Sequence, residues 1–289
     1  MKRLNVLITR DGLQDQEAAL ADGFRALGCT VHLERVIHGY QFKSLVTSRQ
    51  IDLAVQRCYS QNPYSTMLEL RREGHKCRFA YWEKGWPRFL RLEDPRRKAY
   101  DVCFTACNDG SGVYLPQASA DHSHLRENTR YGLTLVGANK ISGKPAWGET
   151  RPALHKRLRD DLGNPFADGM YNIHSALSPY SKRFAIMANS WASIGIWNLE
   201  NGVPLRHHEI VSCGTPLFNY PWKELTNLYT PGKHYVEAEA LSEAVSYYKE
   251  HPEELAAIAE AGHRHFLENH TYVHRARKII TTFERWRHL

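Results

Sequence analysis

The sequence predicts an α/β protein made of two doubly wound domains, and three observations support this prediction. Short β-type runs alternate with helical patterns along the chain, which is typical of mainly parallel sheets covered by helices. The alternation breaks in a loop-rich segment at 106–130 and then starts again, so we place the domain boundary near residue 130. The chain has 289 residues, which is long enough for two ordinary domains.

The N-terminal domain, residues 1–130, is predicted to follow the order β-α-β-β-α-β-β. Runs of apolar and β-branched residues predict strands at 4–9, 29–36, 51–55, 76–82 and 101–105. Helical periodicity predicts helices at 15–27 and 64–73. Gly28 and Gly74 follow these helices, and glycine is the residue that most readily ends a helix.

The C-terminal domain, residues 131–271, repeats the alternation. Strands are predicted at 133–136, 192–197 and 215–219, and helices at 150–162, 180–189, 205–212, 240–250 and 252–269. A last helix is predicted at 272–287, where apolar residues recur every three or four positions and so predict one buried face. These residues are Tyr272, Ala276, Ile279, Ile280, Phe283 and Trp286.

Composition excludes several classes of protein. Apolar residues make up 42% and charged residues 24%, as in globular domains and unlike disordered, collagen-like or coiled-coil chains. No apolar run approaches the roughly 18 residues of a membrane span, and no cleavage site follows the basic N-terminus. We therefore expect a soluble, cytoplasmic protein. The six cysteines form no CxxC pair, and the paired histidines lack carboxylates at ligand spacing, so no metal site is expected.

Positive charge is concentrated in one stretch. The net charge is +7, and residues 71–98 carry ten Lys and Arg against four Asp and Glu. Aromatic residues, among them Tyr81, Trp82 and Trp86, are interleaved with the bases. This pattern is typical of a surface that binds a polyanion such as nucleic acid. An ordinary solvated helix face followed by a core strand explains it equally well.

Residues suited to a nucleotide lie where strands of the second domain are predicted to end. Ligands of open α/β sheets bind at the carboxyl ends of the strands, and helix N-termini there supply N–H groups for phosphates. Asn139, Lys140, Lys144 and Arg151 follow the strand at 133–136, and cations of this kind suit a diphosphate. In the segment RHHEIVSCGTP at 206–216, Glu209 offers a carboxylate that can accept two hydroxyl hydrogens of a sugar diol.

That segment resembles the donor-site stretch of GT-B glycosyltransferases of the "glycosyl transferases group 1" type. It is most similar to the spore-maturation-protein-like group, whose pattern is R-x-x-E-x-x-x-C/A-G-x-P/L. Further matching residues follow, among them Thr230-Pro231-Gly232, Pro252-Glu253-Glu254 and His270-Thr271-Tyr272. Upstream, the stretch 114–118 resembles the LPxA stretch that closes the N-terminal domain in these enzymes. The resemblance is firm over 192–280 and weak over 1–100.

The resemblance implies a GT-B fold, in which two Rossmann-like domains face a cleft and the C-terminal helix crosses back onto the N-terminal domain. It implies transfer of a sugar from a nucleotide-sugar, most often a UDP-sugar, to an acceptor hydroxyl, without a metal or a further cofactor. By motif position, Glu209 would hold the ribose hydroxyls, and Arg206 and the Gly214-Thr215 backbone would lie near the diphosphate. Asn201 stands where many retaining enzymes carry a glutamate, so the contacts to the donor sugar stay open.

The catalytic base, the sugar and the acceptor are less determined. Asp109 and Asp11 follow strand ends of the N-terminal domain, where a base could reach an acceptor hydroxyl. The sugar could be a hexose or a pentose. The basic stretch at 71–98 favours a polyanionic acceptor, such as DNA with a hydroxylated base, over the alternatives of a saccharide, a lipid-linked glycan or a small molecule. A further alternative is a non-enzymatic nucleic-acid-binding protein on a degenerate GT-B scaffold.

Overall fold

The computed structural model divides the chain into two compact units. The N-terminal unit comprises Met1–Val113 together with Thr271–Leu289, and the C-terminal unit comprises Tyr114–His270. The structure describes residues 3–10, 15–36, 39–57, 64–82, 89–92, 102–103, 131–136, 151–163, 172–173, 187–188, 190–195 and 205–287. Residues 104–130, which lead up to the expected boundary near residue 130, lie outside these ranges.

The N-terminal unit contains a six-stranded sheet with the order β2-β1-β3-β4-β5-β6. Its strands are β1 (Asn5–Arg10), β2 (Thr30–Arg35), β3 (Leu53–Arg57), β4 (Arg78–Trp82), β5 (Phe89–Leu92) and β6 (Val102–Cys103). The first four strands pair in parallel, whereas β5 and β6 add antiparallel strands at one edge. Helices α1 (Asp15–Ala26), α2 (Gly39–Ser48) and α3 (Tyr64–Arg72) connect the parallel strands.

Two of these elements were not predicted. Helix α2 was missed because its sequence is rich in β-branched and polar residues and no glycine marks its end. The chain turns instead at Gln50, which takes a left-handed φ of 49° while the Ile51 N–H donates to the Val46 carbonyl at 3.3 Å. Strand β5 was missed because it lies inside the charged stretch. With α2 in place, the parallel β2–β3 crossover has the helix that such connections ordinarily use.

The C-terminal unit contains a five-stranded sheet with the order β11-β10-β9-β7-β8, parallel throughout. Its strands are β7 (Tyr131–Val136), β8 (Asn172–Ile173), β9 (Ser190–Gly195), β10 (Leu217–Asn219) and β11 (Val236–Glu237). Its helices are α4 (Arg151–Leu162), α5 (Leu205–Ser212), α6 (Lys223–Thr226), α7 (Leu241–Glu250) and α8 (Pro252–Asn269). The short elements β8, α6 and β11 were not predicted. Of the helix predicted at 180–189, the structure describes residues 187–188, which are helical.

The last helix, α9 (Tyr272–Arg287), packs on α1 within the N-terminal unit. Its buried residues include Tyr272, Ala276, Ile279, Ile280 and Phe283, which form the apolar face predicted from the periodicity. They join a core with α1 and the β1 and β3 side chains on one side of the sheet. A second core, containing Phe42, Val46 and Leu70 of α2 and α3, lies against Leu7 and Ala54. The N-terminal sheet is therefore covered on both faces, as a doubly wound fold requires.

The C-terminal core joins the sheet to α4, α7 and α8. Ala192, Ile194 and Phe218 of the sheet pack with Leu154 of α4 and Val245 of α7, all fully buried. Helix α5 packs against β9, β10 and α8. This packing positions α5, which carries the R-x-x-E motif, beside the middle of a parallel sheet.

Candidate functional site

The first turn of α5 lies at the carboxyl edge of the C-terminal sheet. Helix α5 follows β9 and leads into β10, and both strands are parallel to their neighbours. The strand order places the topological switch point between β7 and β9, because the chain leaves β7 toward β8 on one side and toward β9 and β10 on the other. Ligands of open α/β sheets bind at such a switch point. The N-terminus of α5 is therefore well placed for a ligand.

The two motif residues on α5 are one turn apart. Arg206 and Glu209 are three residues apart on the helix, so they lie on neighbouring positions of its surface. Glu209 is only 2% exposed, and its main-chain carbonyl accepts the Ser212 hydroxyl at 2.8 Å. The side chain of Arg206 lies outside the part of the chain that the structure describes. A carboxylate in so dry a place makes stronger hydrogen bonds than one in water.

The Gly214-Thr215 backbone does not offer its N–H groups to a ligand. Gly214, at φ 69°, ends α5: its N–H donates to the Val211 carbonyl at 3.0 Å and the Thr215 N–H donates to the Ile210 carbonyl at 3.3 Å. The Thr215 hydroxyl donates to the Met187 carbonyl at 2.6 Å. These residues form the C-terminal end of the helix, where the helix dipole is negative. The expected diphosphate contact is therefore not one that these two N–H groups make.

A buried histidine holds the first turn of α5 to the sheet. The His207 ring, 1% exposed, lies on Gly195 at the end of β9, and its Nε2 is 3.1 Å from Oδ1 of Asn219 at the end of β10. The Trp222 ring meets it edge-on, with centroids 6.5 Å apart. This contact was not predicted: in the sequence, His207 is one of the polar residues of the segment at 206–216 and half of a histidine pair considered as a metal site. The sequence does contain one signal for this contact: a histidine in the first turn of the helix that connects two strands, one ending in Gly195 and the other in Asn219.

A second group of rings lies beneath the other side of α5. His208 Nδ1 is 2.7 Å from the Tyr229 hydroxyl, and the Tyr229 ring lies 4.9 Å from the His270 ring. His265 stacks on His234 at 4.3 Å and hydrogen-bonds the Leu228 carbonyl through Nε2 at 2.8 Å. These contacts tie α5 to α8 and to the loop before β11.

His234 is held neutral. Its Nδ1 accepts the Thr230 N–H at 3.0 Å, so it carries no hydrogen there. Burial, followed by the nearby His265 and Lys233, lowers the pKa of His234 from 6.5 to about 4. Among the residues that the structure describes, no group of three or more His, Cys, Asp or Glu side chains could hold a metal ion. In the described part of this unit, His207, His208, His234 and His265 make hydrogen bonds and ring contacts within the core.

The loop after β10 is tied to β11. One carboxylate oxygen of Glu237 accepts the Tyr235 hydroxyl at 2.5 Å and the Trp222 N–H at 3.4 Å. Burial, and then the bond to Glu237, raise the pKa of the Tyr235 hydroxyl, so it stays protonated and donates. The hydrogen bond from the Trp222 N–H to Glu237 holds the main chain at Trp222, whose ring contacts His207.

Residues 122–281 match the model of the Glycosyl transferase-like family, which is more than half of the chain. The chain belongs to this family. A search of curated protein sequences finds no significant match.

Solved structures agree with this glycosyl transferase-like assignment at the level of fold. The chain is similar to a glycosyltransferase from Rickettsia africae ESF-5, with TM-score 0.62 and 10% identity over 99% of both chains. It is similar to sucrose-phosphate synthase from Thermosynechococcus elongatus, with TM-score 0.57 and 10% identity over 98% of this chain and 99% of that one. It is also similar to Anabaena Alr3699/HepE in complex with UDP-glucose, with TM-score 0.52 and 11% identity over 98% of this chain and 100% of that one. The predicted GT-B fold is confirmed.

Several predicted site residues lie outside the described ranges. These are Asp11, Asp109, Lys140, Lys144 and Asn201. Arg151 opens α4, and the structure describes its backbone but not its side chain. The roles assigned to these residues stay predictions. Within the described parts of this glycosyl transferase-like chain, no helix has both the length and the apolar character to cross a membrane.

The described part of the basic stretch is mixed in charge. Arg71 and Arg72 close α3, but Glu69 on this helix and Glu73 directly after it bind Lys43 at 2.6 and 2.5 Å. Beyond them, β4 and β5 pair antiparallel and bring the backbones of Tyr81 and Arg91 opposite each other. The bases at 84, 88 and 96–98 lie outside the described residues.

Proposed function

We propose that this protein is a nucleotide-sugar-dependent glycosyltransferase. An oxygen of the acceptor hydroxyl forms a bond to the anomeric carbon of the donor sugar, and the bond from that carbon to the diphosphate oxygen breaks. The hydroxyl proton passes to a base, for which Asp109 and Asp11 are the candidates, and the nucleoside diphosphate leaves. The observation that carries this proposal is the R-x-x-E motif of α5, placed at the switch-point edge of a parallel sheet inside the family-matching region.

In this proposal the residues of the C-terminal unit hold the donor. Glu209 accepts the two ribose hydroxyls, and Arg206 binds the diphosphate at the N-terminal end of α5, where the helix dipole is positive. Lys140, Lys144 and Arg151 add positive charge for the leaving group, which is stabilised more in the transition state than in the ground state. Asn201 contacts the donor sugar. The amides of Gly214 and Thr215 have no part, since both are used at the helix end.

The first donors to test are UDP-sugars. One protein of the same fold was crystallised with UDP-glucose, although at 11% identity it shares only the fold with this chain. Calorimetry with UDP and other nucleoside diphosphates tests donor binding directly. Mass spectrometry of donor hydrolysis across a panel of UDP-hexoses and UDP-pentoses then identifies the sugar. A wild-type protein that binds no nucleoside diphosphate overturns the proposal and favours a non-enzymatic nucleic-acid-binding protein.

The role of Glu209 is tested by Glu209→Gln, which keeps the size and removes the charge. Glutamine keeps one acceptor oxygen and replaces the other with NH2, so one charge-assisted hydrogen bond, which contributes about 1.5–3 kcal/mol, is lost and UDP affinity should fall about 10- to 100-fold. Glu260→Gln is the matched control, because Glu260 lies on the surface of α8 and, among the residues that the structure describes, is paired with Arg264. Unchanged UDP affinity in Glu209→Gln, with the fold intact, would remove Glu209 from the site.

A polyanionic acceptor is a separate and finer proposal. It is supported by the ten Lys and Arg residues at 71–98. To test it, the enzyme and its nucleotide-sugar are incubated either with duplex DNA that carries hydroxymethylated bases or with neutral saccharides. If DNA is the acceptor, its binding weakens steeply with salt, with a slope of about −0.9 per phosphate contact. If the sugar is transferred to saccharides and not to DNA, the acceptor is a neutral molecule and the polyanion proposal is wrong.

A further inference from the structure

The ends of two strands and the start of one helix meet around a single imidazole. Gly195 ends β9, His207 lies in the first turn of α5, and Asn219 ends β10. All three are buried, and both His207 and Asn219 are 1% exposed. His207 lies 12 residues from Asn219 along the chain, so only the parallel packing of β9 and β10 brings the group together.

The imidazole fills a space that only a glycine leaves open. A Cβ placed on Gly195 would lie 2.8 Å from both Cδ2 and Nε2 of His207 and 3.0 Å from the Leu217 side chain. Real Cβ contacts are longer than this, so a side chain at 195 would force the ring to move. The ring is rigid and enclosed, and its movement would carry the first turn of α5 with it.

The hydrogen bond in this group has a defined direction. The Asn219 side-chain NH2 donates to the Tyr220 carbonyl at 2.7 Å, which identifies the other atom, Oδ1, as an acceptor. The nitrogen Nε2 of His207 therefore carries the hydrogen and donates to Oδ1 at 3.1 Å. The Trp222 ring braces the other side of the imidazole, and the Glu237 carboxylate fixes the Trp222 main chain.

We propose that His207, seated on Gly195 and bonded to Asn219, is a positioning residue that sets the affinity for the donor diphosphate. This inference rests on the proposed function. The Nε2–H of His207 is already bonded to Asn219, but Arg206 precedes His207 directly and Glu209 follows two residues later on the same helix. Movement of the first turn displaces Arg206 relative to the switch point between β7 and β9. Loss of one hydrogen bond to a charged phosphate weakens binding about 10- to 100-fold.

The first test compares three variants by UDP calorimetry and by donor and acceptor KM. Gly195→Ala pushes the His207 ring away from β9. His207→Leu removes the Nε2–H that bonds Asn219 but keeps most of the side-chain volume. Both should weaken UDP binding about 10- to 100-fold and raise donor KM, with acceptor KM unchanged. His207→Gln offers an amide N–H in place of Nε2–H and should retain UDP affinity to within about threefold.

The matched control separates positioning from loss of stability. Gly23 on α1 is equally crowded, since a Cβ there would lie 2.5 Å from the Tyr272 carbonyl oxygen, but it belongs to the N-terminal unit. Gly23→Ala should therefore lower the denaturation midpoint without weakening UDP binding. Equal loss of UDP affinity in Gly23→Ala and Gly195→Ala would overturn the inference, because affinity would then follow stability.

The remaining outcomes are also decisive. If Gly195→Ala and His207→Leu fold and bind UDP like the wild type, His207 has no positioning role. If Gly195→Ala does not fold, the comparison of His207→Leu with His207→Gln decides, and equal affinity in these two overturns the inference. If the wild type binds no nucleoside diphosphate, the proposed function itself fails, which is a different result from any of these.

Discussion

The two units bury different kinds of side chain, although the sheet of each contains a run of parallel strands. Among the residues that the structure describes, the N-terminal unit buries three polar or charged side chains, those of Thr9, Glu17 and Arg275. The C-terminal unit buries a much larger set: Ser190, Ser193, His207, His208, Glu209, Ser212, Thr215, Asn219, His234, His263 and His270. Much of this set lies on α5 or in contact with it.

This difference indicates what each core does. An apolar core stabilises by burial and tolerates small shifts, because apolar contacts have no direction. Buried polar groups need partners at fixed distances and angles, so they define one geometry at a cost in desolvation. The N-terminal unit keeps its described polar network at the amino edge of the sheet, where the Asn5 amide oxygen binds His32 at 2.8 Å and Arg49 binds His32 at 2.8 Å. The polar core belongs to the unit that carries the proposed donor site.

The largest expected effect is on the apolar core. Phe24 of α1 is fully buried among side chains of β1, β3 and α9, so Phe24→Ala should destabilise the protein by about 3–5 kcal/mol. Hydrogen exchange should show the loss in the N-terminal unit, equally at pH 5 and pH 8, since no titrating group is involved. Tyr40→Ala is the control, because Tyr40 is 71% exposed and should cost under about 0.5 kcal/mol. A pH-dependent loss in Phe24→Ala would contradict the comparison.

The next effect is acid sensitivity of the C-terminal unit. The pKa of His234 is lowered from 6.5 to about 4, and burial also lowers the pKa of His263. Between these pH values the unfolded chain binds more protons than the folded one, so stability falls as pH drops from 6.5 toward 4. His234 alone should account for about 2–3 kcal/mol of this fall. Hydrogen exchange of C-terminal-unit amides, measured at each pH, gives the free energy of unfolding of this unit and so measures the fall.

His234→Asn is the decisive variant for that pH dependence. Asparagine offers an oxygen that can accept the Thr230 N–H in place of Nδ1, but it does not titrate. The variant should therefore flatten the pH dependence of the C-terminal unit while leaving that of the N-terminal unit unchanged. A full acid response in His234→Asn would assign it to other groups.

A smaller effect is expected from one polar contact of the same core. Tyr229→Phe removes the hydroxyl bonded to His208 Nδ1 at 2.7 Å and should cost about 1–3 kcal/mol, because it leaves a buried nitrogen short of a hydrogen bond. Tyr247→Phe is the matched control: its hydroxyl reaches Glu254 at 3.2 Å on the surface, and its loss should not change the denaturation midpoint. If both variants behaved alike, the buried bond would have no special weight.

The smallest effect is expected at the surface of the N-terminal unit. Lys43 joins α2 to α3 through Glu69 and Glu73, and the bonds to these two carboxylates raise its pKa. All three side chains are solvated, so Lys43→Met should shift the denaturation midpoint little and chiefly remove part of its salt dependence. A loss as large as that in Phe24→Ala would show that surface charge, and not the apolar core, dominates this unit.

Elements with strong local signals were predicted closely. Helices α5, α8 and α9 have the predicted bounds, since periodicity, Pro252 at the start of α8 and Gly214 after α5 mark them within the chain itself. Helix α2 has none of these signals, because it ends at Gln50 in a left-handed conformation that glycine usually supplies. Its helical form depends on Phe42 and Val46 packing beneath the sheet.

In the candidate site, too, some features were predicted from the sequence and others were seen only in the structure. The motif identified Arg206 and Glu209 as the residues to examine, and the sheet order places their helix at a switch point. The same motif also includes Gly214 and Thr215, but their N–H groups bond carbonyls of α5 at the end of the helix. A motif does not show whether a main-chain amide already has an acceptor.

The sequence by itself determined the α/β class, the GT-B resemblance, the apolar face of α9 and the motif on α5. Each depends on residue type and spacing within about one element, where the physical rules are local. Only the tertiary structure decided that His207 seats on Gly195 and bonds to Asn219. The reason is that this contact exists only once β9 and β10 lie side by side, and that pairing depends on the packing of the whole unit.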